Sequence, residues 1–392
     1  MVIPAVEARK ARDVRVVFLI RSLTRGGAER QVVLLASALR KRGHGVTVLT
    51  LYSGGDWEDD LRSADVAVRS FGKRSRWDLA GVLPWLVREL RRERPDLVHG
   101  YLPVCNLLAS VAKFFVPGCK VAWGERGSET DPRRLGHLVQ QIELRLPMLS
   151  DLIIANSEAG AAPYRDARGT RVFVIPNGID TGYFAPDPEA GDRSRAVIAA
   201  TVGEPAAART NILIGMVARI DPMKDHDTFL EAAALAAQRR EDLLFVCVGA
   251  GAPDLEARLK TRSGQLGLAG RVIWAGERND LPFVYNAFDL ATLPSAFGEG
   301  FPNAVGEAMA CGVPCVVSDV GGSANVVGAT GMIVPVRNPA ALADAWLTMF
   351  ARLREAGPAM RDAARERIVT HFSIDALAER SLAAFRTAVP DS

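Results

Sequence analysis

The sequence predicts an α/β protein built from two doubly wound domains that face each other across a cleft. Three observations carry that expectation. Short apolar runs rich in β-branched residues alternate with helical patterns along the chain. The runs are continuously apolar rather than alternating, as strands buried on both faces of a parallel sheet are. They also fall into two equal sets around a stretch rich in Ala, Pro and Gly, Phe184 to Asn211. Strand–helix alternation with parallel pairing implies right-handed crossovers. A chain of 392 residues also fits two cores better than one.

Taken in order, the opening "MVIPAVEARKARDVR" is charged and mixed and reads as a short tail, without the apolar core of a signal peptide. The first set of strands is "VRVVFLI", "GVTVLT", "PDLVHGY", "KVAWG", "DLIIANS" and "VFVIPN". Residues 1–190 are the expected first domain and 191–210 the linker, whose middle, "RAVIAATV", could form a short strand or helix. The second set, "ILIGMVA", "LLFVCVG", "RVIWAG", "DLATLP", "CVVSDV" and "GMIVPV", defines a second domain over 211–373. The closing "IDALAERSLAAFRTAV" has the periodicity of an amphipathic helix, expected within 374–392.

Composition sets further bounds. Hydrophobic content of 48% and charged content of 24% are those of a globular chain. No apolar run reaches the roughly 20 residues that span a bilayer. The net charge of +3 is uneven: residues 1–190 hold 28 Lys/Arg against 22 Asp/Glu, which leaves −3 for the rest. That balance suits an anionic ligand or surface and is too weak for nucleic acid. Cys105, Cys119, Cys247, Cys311 and Cys315 lie mostly in apolar runs, and no second ligand pair follows the last two. They read as small buried residues of a reducing compartment, so a cytoplasmic location is expected.

In doubly wound sheets ligands sit at the carboxyl ends of the strands, and between two domains the cleft is the natural site. Several stretches fall at such ends. "RSLTRGGAER" places Gly26 and Gly27 at a helix start, where bare amides and the helix dipole favour an anion. It is not a GxGxxG fingerprint, which argues against a nicotinamide dehydrogenase. "VARIDPMKDHD" sets Arg219 at a strand end and Lys224 just before a helix, two cations suited to a diphosphate. Its "DHD", Asp225 to Asp227, resembles a metal-binding DxD but fits helix capping better. Gly249 and Gly251 form a tight turn that could touch a nucleotide. "FGEGFPNAVGEAMACG" carries Glu299 in a loop held open by Gly298, Gly300 and Pro302, with helix expected from Asn303 as cap and Glu307 one turn inside. An acid that deep in an apolar helix needs partners, and sugar hydroxyls can supply them. His99 stands at a strand end, and Asn177-Gly178 signals a turn where the chain leaves the first domain. Lys73, Arg74, Arg76, Arg88, Arg91, Arg92 and Arg94 accompany Trp77 and Trp85, a mixture that suits an anionic membrane surface.

Together these residues resemble the GT-B fold glycosyltransferases of the retaining family 4 type, strongly from about Asn211 to Val336 and more loosely before. The most specific mark is E-x7-E, here Glu299 to Glu307, followed by "AMACGVPCVVSDVGG". The resemblance implies two Rossmann-like domains, acceptor side first and donor side second, with the last helix crossing back to the first. It implies that Arg219 and Lys224 hold the diphosphate of a nucleoside-diphosphate sugar, helped by Gly26 and Gly27, with UDP the expected nucleotide and no metal required. Glu307 would bind ribose. Glu299 would bind the transferred sugar, shaped by Gly300, Phe301 and Pro302, and is not assigned as a nucleophile. The expected acceptor is a glycan or glycolipid, in cell-surface polysaccharide synthesis at the inner face of the membrane. Arg126 stands where many members carry a His, and Tyr101 where many carry a second. Arg126 and His99 are therefore the acceptor-side candidates. A nucleotide-sugar epimerase of similar architecture and a non-catalytic nucleotide-binding protein are the alternative functions.

Overall fold

The computed structural model describes residues 13–75, 78, 81–127, 135–167, 169–200 and 212–389. The first lobe contains strands β1 (Arg15–Ile20), β2 (Gly45–Thr50), β3 (Ala67–Ser70), β4 (Leu97–Tyr101), β5 (Lys120–Glu125), β6 (Leu152–Ala155) and β7 (Arg171–Val174). Its helices are α1 (Gly27–Lys41), α2 (Glu58–Ser63), α3 (Val82–Glu93), α4 (Leu102–Lys113), α5 (Leu135–Arg145) and α6 (Glu158–Ala161). Helix α7 (Pro188–Ala200) follows. The second lobe contains β8 (Ile212–Val217), β9 (Leu243–Val248), β10 (Val272–Gly276), β11 (Leu290–Leu293), β12 (Cys315–Ser318) and β13 (Met332–Val334). Its helices are α8 (His226–Ala237), α9 (Pro253–Gln265), α10 (Leu281–Asn286), α11 (Asn303–Ala310), α12 (Ser323–Val327), α13 (Pro339–Ala356) and α14 (Pro358–Phe372), and α15 (Ile374–Ala388) ends the chain.

Both sheets are parallel throughout, in the orders β3-β2-β1-β4-β5-β6-β7 and β10-β9-β8-β11-β12-β13. Each order reverses beside its first strand, between β1 and β4 and between β8 and β11. Helices leaving those neighbouring strands go to opposite faces, which opens a crevice at the strand ends. The loops after β1, β8 and β11 carry Gly26-Gly27, Arg219 with Lys224, and Glu299. Topology alone therefore gathers the motifs at one edge of each sheet.

Continuous apolar strands fill both faces of each sheet. Trp123 and Trp346 are fully buried, and their indole N–H groups donate to Ser110 Oγ at 2.8 Å and Thr292 Oγ1 at 3.2 Å. Each satisfied ring adds area burial worth about 2–3 kcal/mol without leaving a stranded donor. All five cysteines are buried and free. Helix α15 buries Leu377, Ala378, Leu382 and Phe385 in the core of the first lobe, against α1. No described helix is long and apolar enough to cross a membrane.

Two elements differ from the sequence expectation. The first sheet has a seventh strand, β3, whose "AVRS" mixes polar and apolar residues because it lies at the sheet edge. The stretch expected as a linker is helical through Ala200, while 201–211 lie outside the described residues. Helix α7 packs on α10, and Arg195 pairs with Asp289 at 2.5 Å. The Ala-rich "RSRAVIAA" has the propensity to continue a helix once that contact exists.

Candidate functional site

The first wall of the crevice is the start of α1. Gly26 is its cap residue in extended conformation, and no side-chain hydrogen bond caps it. A Cβ on Gly26 would lie 2.1 Å from Glu29 Oε2, so the Glu29 carboxyl folds back over this turn. Burial raises the pKa of Glu29 above the usual carboxylate range. A Cβ on Gly27 would lie 3.1 Å from Asn303 Nδ2, so α1 and α11 meet closely across the lobes.

The opposite wall begins after β8. Asp221 accepts from Met223 N at 3.0 Å and starts a single 3-10 turn, Pro222–Lys224. Asp225 then takes φ +51°, and its carboxylate accepts from Thr228 N at 3.1 Å to cap α8. Asp227 accepts a two-point fork from Arg258. The "DHD" triplet is thus spent on capping and an ion pair.

The turn carries Lys224 inward. Its Nζ lies 2.5 Å from Glu299 Oε1, with side chains 16% and 6% exposed. Ser295 Oγ donates to the same oxygen at 2.5 Å, and Ser318 Oγ in turn donates to Ser295 O. Arg219 behaves differently. It is 65% exposed and lies 3.3 Å from Asp221. An exposed pair of that kind is worth about 0–1 kcal/mol, so Arg219 is readily released. Gly249 and Gly251 pack under this segment, where a Cβ would lie 2.0 Å from Ala218 O and 2.2 Å from Ile220 O. The Gly251 amide already donates to Glu256 at 2.8 Å. These two glycines let the turn approach the backbone that bears Arg219.

The loop carrying Glu299 is clamped on three sides. Gly298 takes φ +77°. A Cβ on Gly300 would meet Asn156 Oδ1 at 2.4 Å and Arg126 O at 2.9 Å, both in the first lobe. Phe301 is buried against the ring of Phe372, at 5.5 Å between centroids. Pro302 occupies the cap position of α11 without a side-chain bond, and Asn303 is the first helical residue. Asn303 is therefore not the cap expected from sequence. Its Oδ1 accepts instead from Asn177 Nδ2 at 2.9 Å, across the lobes.

Glu307, one turn further on, has both oxygens engaged. Arg30 Nη1 of α1 lies 2.6 Å from Oε1, and Tyr285 OH donates to Oε2 at 2.9 Å. The cleft here is a cavity of about 750 Å³ lined by Gly26, Gly27 and Arg30 from one lobe and Tyr285, Asn303 and Glu307 from the other.

The acceptor-side candidates separate. Arg126 stacks on the Tyr101 ring at 4.5 Å and donates to Tyr101 OH at 2.9 Å and to Asn177 Oδ1 at 3.3 Å. His99 has no exposed surface and lies among Phe18, Tyr101 and Phe385, with neither ring nitrogen hydrogen-bonded. Burial holds its pKa well below the usual range, so the ring is neutral. His99 is thus a core residue under α15 and does not line the cleft. Behind Arg126, Asn106 Nδ2 bridges Glu125 and Glu143 at 3.0 and 2.6 Å. Burial, with Glu125 beside it, pushes the Glu143 carboxyl up to about 9.

The structure therefore joins Lys224 with Glu299, and Glu307 with the α1 turn, and leaves Arg219 on the surface. Arg30, Tyr285 and Ser295 are candidate-site residues that the motifs did not single out, and Asn303 was singled out only as a helix cap. Arg30 and Ser295 lie within one turn or loop of a motif residue, which was their only signal.

Residues 25–183 match the family model described as Glycosyltransferase Family 4, and residues 211–352 the model described as Glycosyl transferases group 1. A D-inositol 3-phosphate glycosyltransferase of Salinispora tropica is 32% identical over 73% of this chain and 58% of its own length. The UDP-Gal:alpha-D-GlcNAc-diphosphoundecaprenol alpha-1,3-galactosyltransferase of Escherichia coli is 34% identical over 39% of this chain and 38% of its own. The chain thus spans less than two thirds of the length of the first curated relatives it matches. Among solved structures, Anabaena HepE in complex with UDP superposes with a TM-score of 0.80 at 22% identity, over 95% of this chain and 100% of that one. That likeness is one of fold.

Proposed function

The chain belongs to the glycosyltransferases of group 1 and family 4, with the GT-B fold, and we propose that it is a retaining transferase with a UDP-linked hexose as donor. The acceptor in this reading is a glycan or lipid-linked glycan of cell-surface polysaccharide synthesis. Residues 1–190 with α15 form the acceptor side, and 211–373 the donor side. The observation that carries the reading is the buried Lys224–Glu299 pair at the switch point of the second sheet. An ammonium held there meets the charge that grows on a leaving diphosphate, and a carboxylate beside it can accept sugar hydroxyls.

Arg219 joins Lys224 on the diphosphate once it leaves Asp221, and the α1 amides meet the phosphates once Glu29 swings aside. Two cations supply the charge a metal would otherwise provide. In the reaction the bond from the anomeric carbon to the diphosphate breaks, and the acceptor oxygen bonds to the same face. The acceptor proton passes to a leaving phosphate oxygen. UDP is favoured because the similarly folded HepE was solved with it. A lipid-linked acceptor is favoured by the name of the Escherichia coli relative.

A panel of nucleoside-diphosphate sugars screened by thermal melting tests this. A donor at about 100 times its Kd adds about 2.7 kcal/mol, which moves the melting temperature by a few degrees. A UDP-hexose is expected to give the shift, followed by transfer to a membrane-extract acceptor. No shift with any nucleotide sugar at millimolar concentration would refute the reading. A changed free sugar formed from donor alone would instead make the protein an epimerase, and binding without product would make it a nucleotide-binding protein.

We also propose that the first lobe rests on an anionic membrane. Arg76 and Trp77 of the basic stretch lie outside the described residues, and Trp85 is half-buried against Phe71. The apolar share comes instead from Phe114 and Phe115, exposed at the end of α4, with Val111 before them. Arg91 of α3 donates to Phe115 O at 3.2 Å and so joins cations to that edge. Vesicles containing anionic lipid should bind the protein, and Phe114→Ser with Phe115→Ser should weaken binding at least tenfold, as should raised salt. Binding indifferent to both would remove the membrane reading.

A further inference from the structure

Arg30 is a cation at the nucleotide end of the cleft to which the proposed chemistry gives no role. It stands in the first turn of α1, in the lobe opposite Glu307. The two side chains are 19% and 5% exposed. The guanidinium also lies over the Phe184 ring, 5.0 Å from its centroid. Burial and the neighbouring Glu307 keep the Tyr285 hydroxyl protonated, so it remains a donor.

A buried carboxylate needs charge and hydrogen bonds in place of its lost water, and here Arg30 and Tyr285 supply them. Tyr285 comes from the same lobe as Glu307, but the compensating charge comes from the other. An ionised carboxylate offers about four lone-pair directions. Arg30 and Tyr285 take two, which leaves acceptor capacity for the vicinal hydroxyls of a ribose. The hydroxyls can therefore bind without expelling Arg30.

We propose that Arg30 is a positioning residue for nucleotide recognition: its ion pair with Glu307 holds that carboxylate aimed at the ribose, and so ties ribose binding to the contact between the lobes. Helix α1 then serves the nucleotide twice, with its glycine turn toward the phosphates and with Arg30 through Glu307. This inference rests on the reading of Glu307 as the ribose ligand, and the test separates the two.

Calorimetric titration of UDP and 2′-deoxy-UDP into the wild type, Glu307→Gln, Arg30→Ala, Arg30→Lys and the Arg30→Ala/Glu307→Gln double variant is the experiment. A hydrogen bond to a charged group corresponds to roughly a tenfold preference for the ribonucleotide. The wild type is expected to show that preference and Glu307→Gln to lose most of it. Arg30→Ala should lose a similar share, the double variant no more than either single one, and Arg30→Lys should recover part. An Arg30→Ala protein that keeps the full preference, or binds UDP more tightly because a competitor has gone, overturns the role of Arg30 alone. Equal preference in wild type and Glu307→Gln overturns the ribose reading and this inference with it. Should Arg30→Ala fail to fold, Arg30→Lys decides: an unaltered UDP affinity and preference would sink the proposal, since an ammonium cannot reproduce the guanidinium geometry.

Discussion

Lys224→Ala is expected to lower turnover by roughly 10²- to 10³-fold, the usual loss when one preorganised charge stabiliser is removed from a transfer site. Sequence reasoning alone would expect the fold to be untouched. The structure changes that expectation, because Lys224 is the ion-pair partner of Glu299 and both are largely buried. Removing the ammonium takes the countercharge from Glu299 and leaves Ser295 Oγ donating to the same oxygen. Breaking a buried pair from one side costs about 3–5 kcal/mol, far more than the pair itself contributes. Two effects are then mixed in one variant, and a second substitution separates them. In Lys224→Ala/Glu299→Gln the buried negative charge is gone, so the melting temperature should return most of the way to that of the wild type. Turnover should stay low, because neutralising Glu299 does not restore a cation for the leaving diphosphate. Initial rates and thermal melts of the three variants check this. Wild-type turnover in Lys224→Ala would remove Lys224 from the chemistry, and a double variant as unstable as the single one would show that the pair is not what sustains the local fold.

The contrast between that pair and the rest of the site shows what can be read from the chain. Both sheets were legible because parallel strands buried on two faces need unbroken apolar runs, and "VRVVFLI" or "LLFVCVG" can hardly be anything else. The edge strand "AVRS" was not, since one exposed side removes the apolar signal. Glu299 stood out as a charge in an apolar, glycine-bounded segment and Lys224 as a cation just before a helix, and the structure brings the two together. Arg30 did not stand out, although it follows the glycine turn closely, because its partner lies 277 positions away on the other lobe. His99 misled for the same cause in reverse. At a strand end it looks available, but Phe385 of the final helix closes over it. Helix capping was misread at Asn303, whose side chain serves Asn177 across the cleft rather than its own helix. Local chemistry is written in the sequence, while contacts between lobes are set by packing that no short window contains.

Gly321 shows how far such packing reaches into the site, and its substitution should have the second largest effect. It takes φ +58°, and a Cβ there would lie 1.6 Å from the carbonyl oxygen of Glu299 and 3.2 Å from its Cβ. The obstacle is backbone, so no side chain can rotate away. Neighbouring Gly322 donates to Gly300 O at 2.8 Å, and a Cβ on Gly322 would lie 2.4 Å from that same oxygen. The two glycines are thus the floor on which the Glu299 loop rests. In Gly321→Ala the loop must lift, and Glu299 Oε1 must leave its 2.5 Å contact with Lys224. A displacement of about 1 Å in a positioning group can cost on the order of 100-fold in rate. The positive φ alone costs an alanine roughly 1–3 kcal/mol, so a loss of stability by itself would prove little. Gly357→Ala provides the control, with a nearly identical φ of +57° and nothing within 4 Å of the added Cβ. Both variants should melt earlier, but only Gly321→Ala should lose turnover. If the two retained the same activity, the height of the Glu299 loop would not matter to the reaction, and the buried pair would have to be read as scaffold.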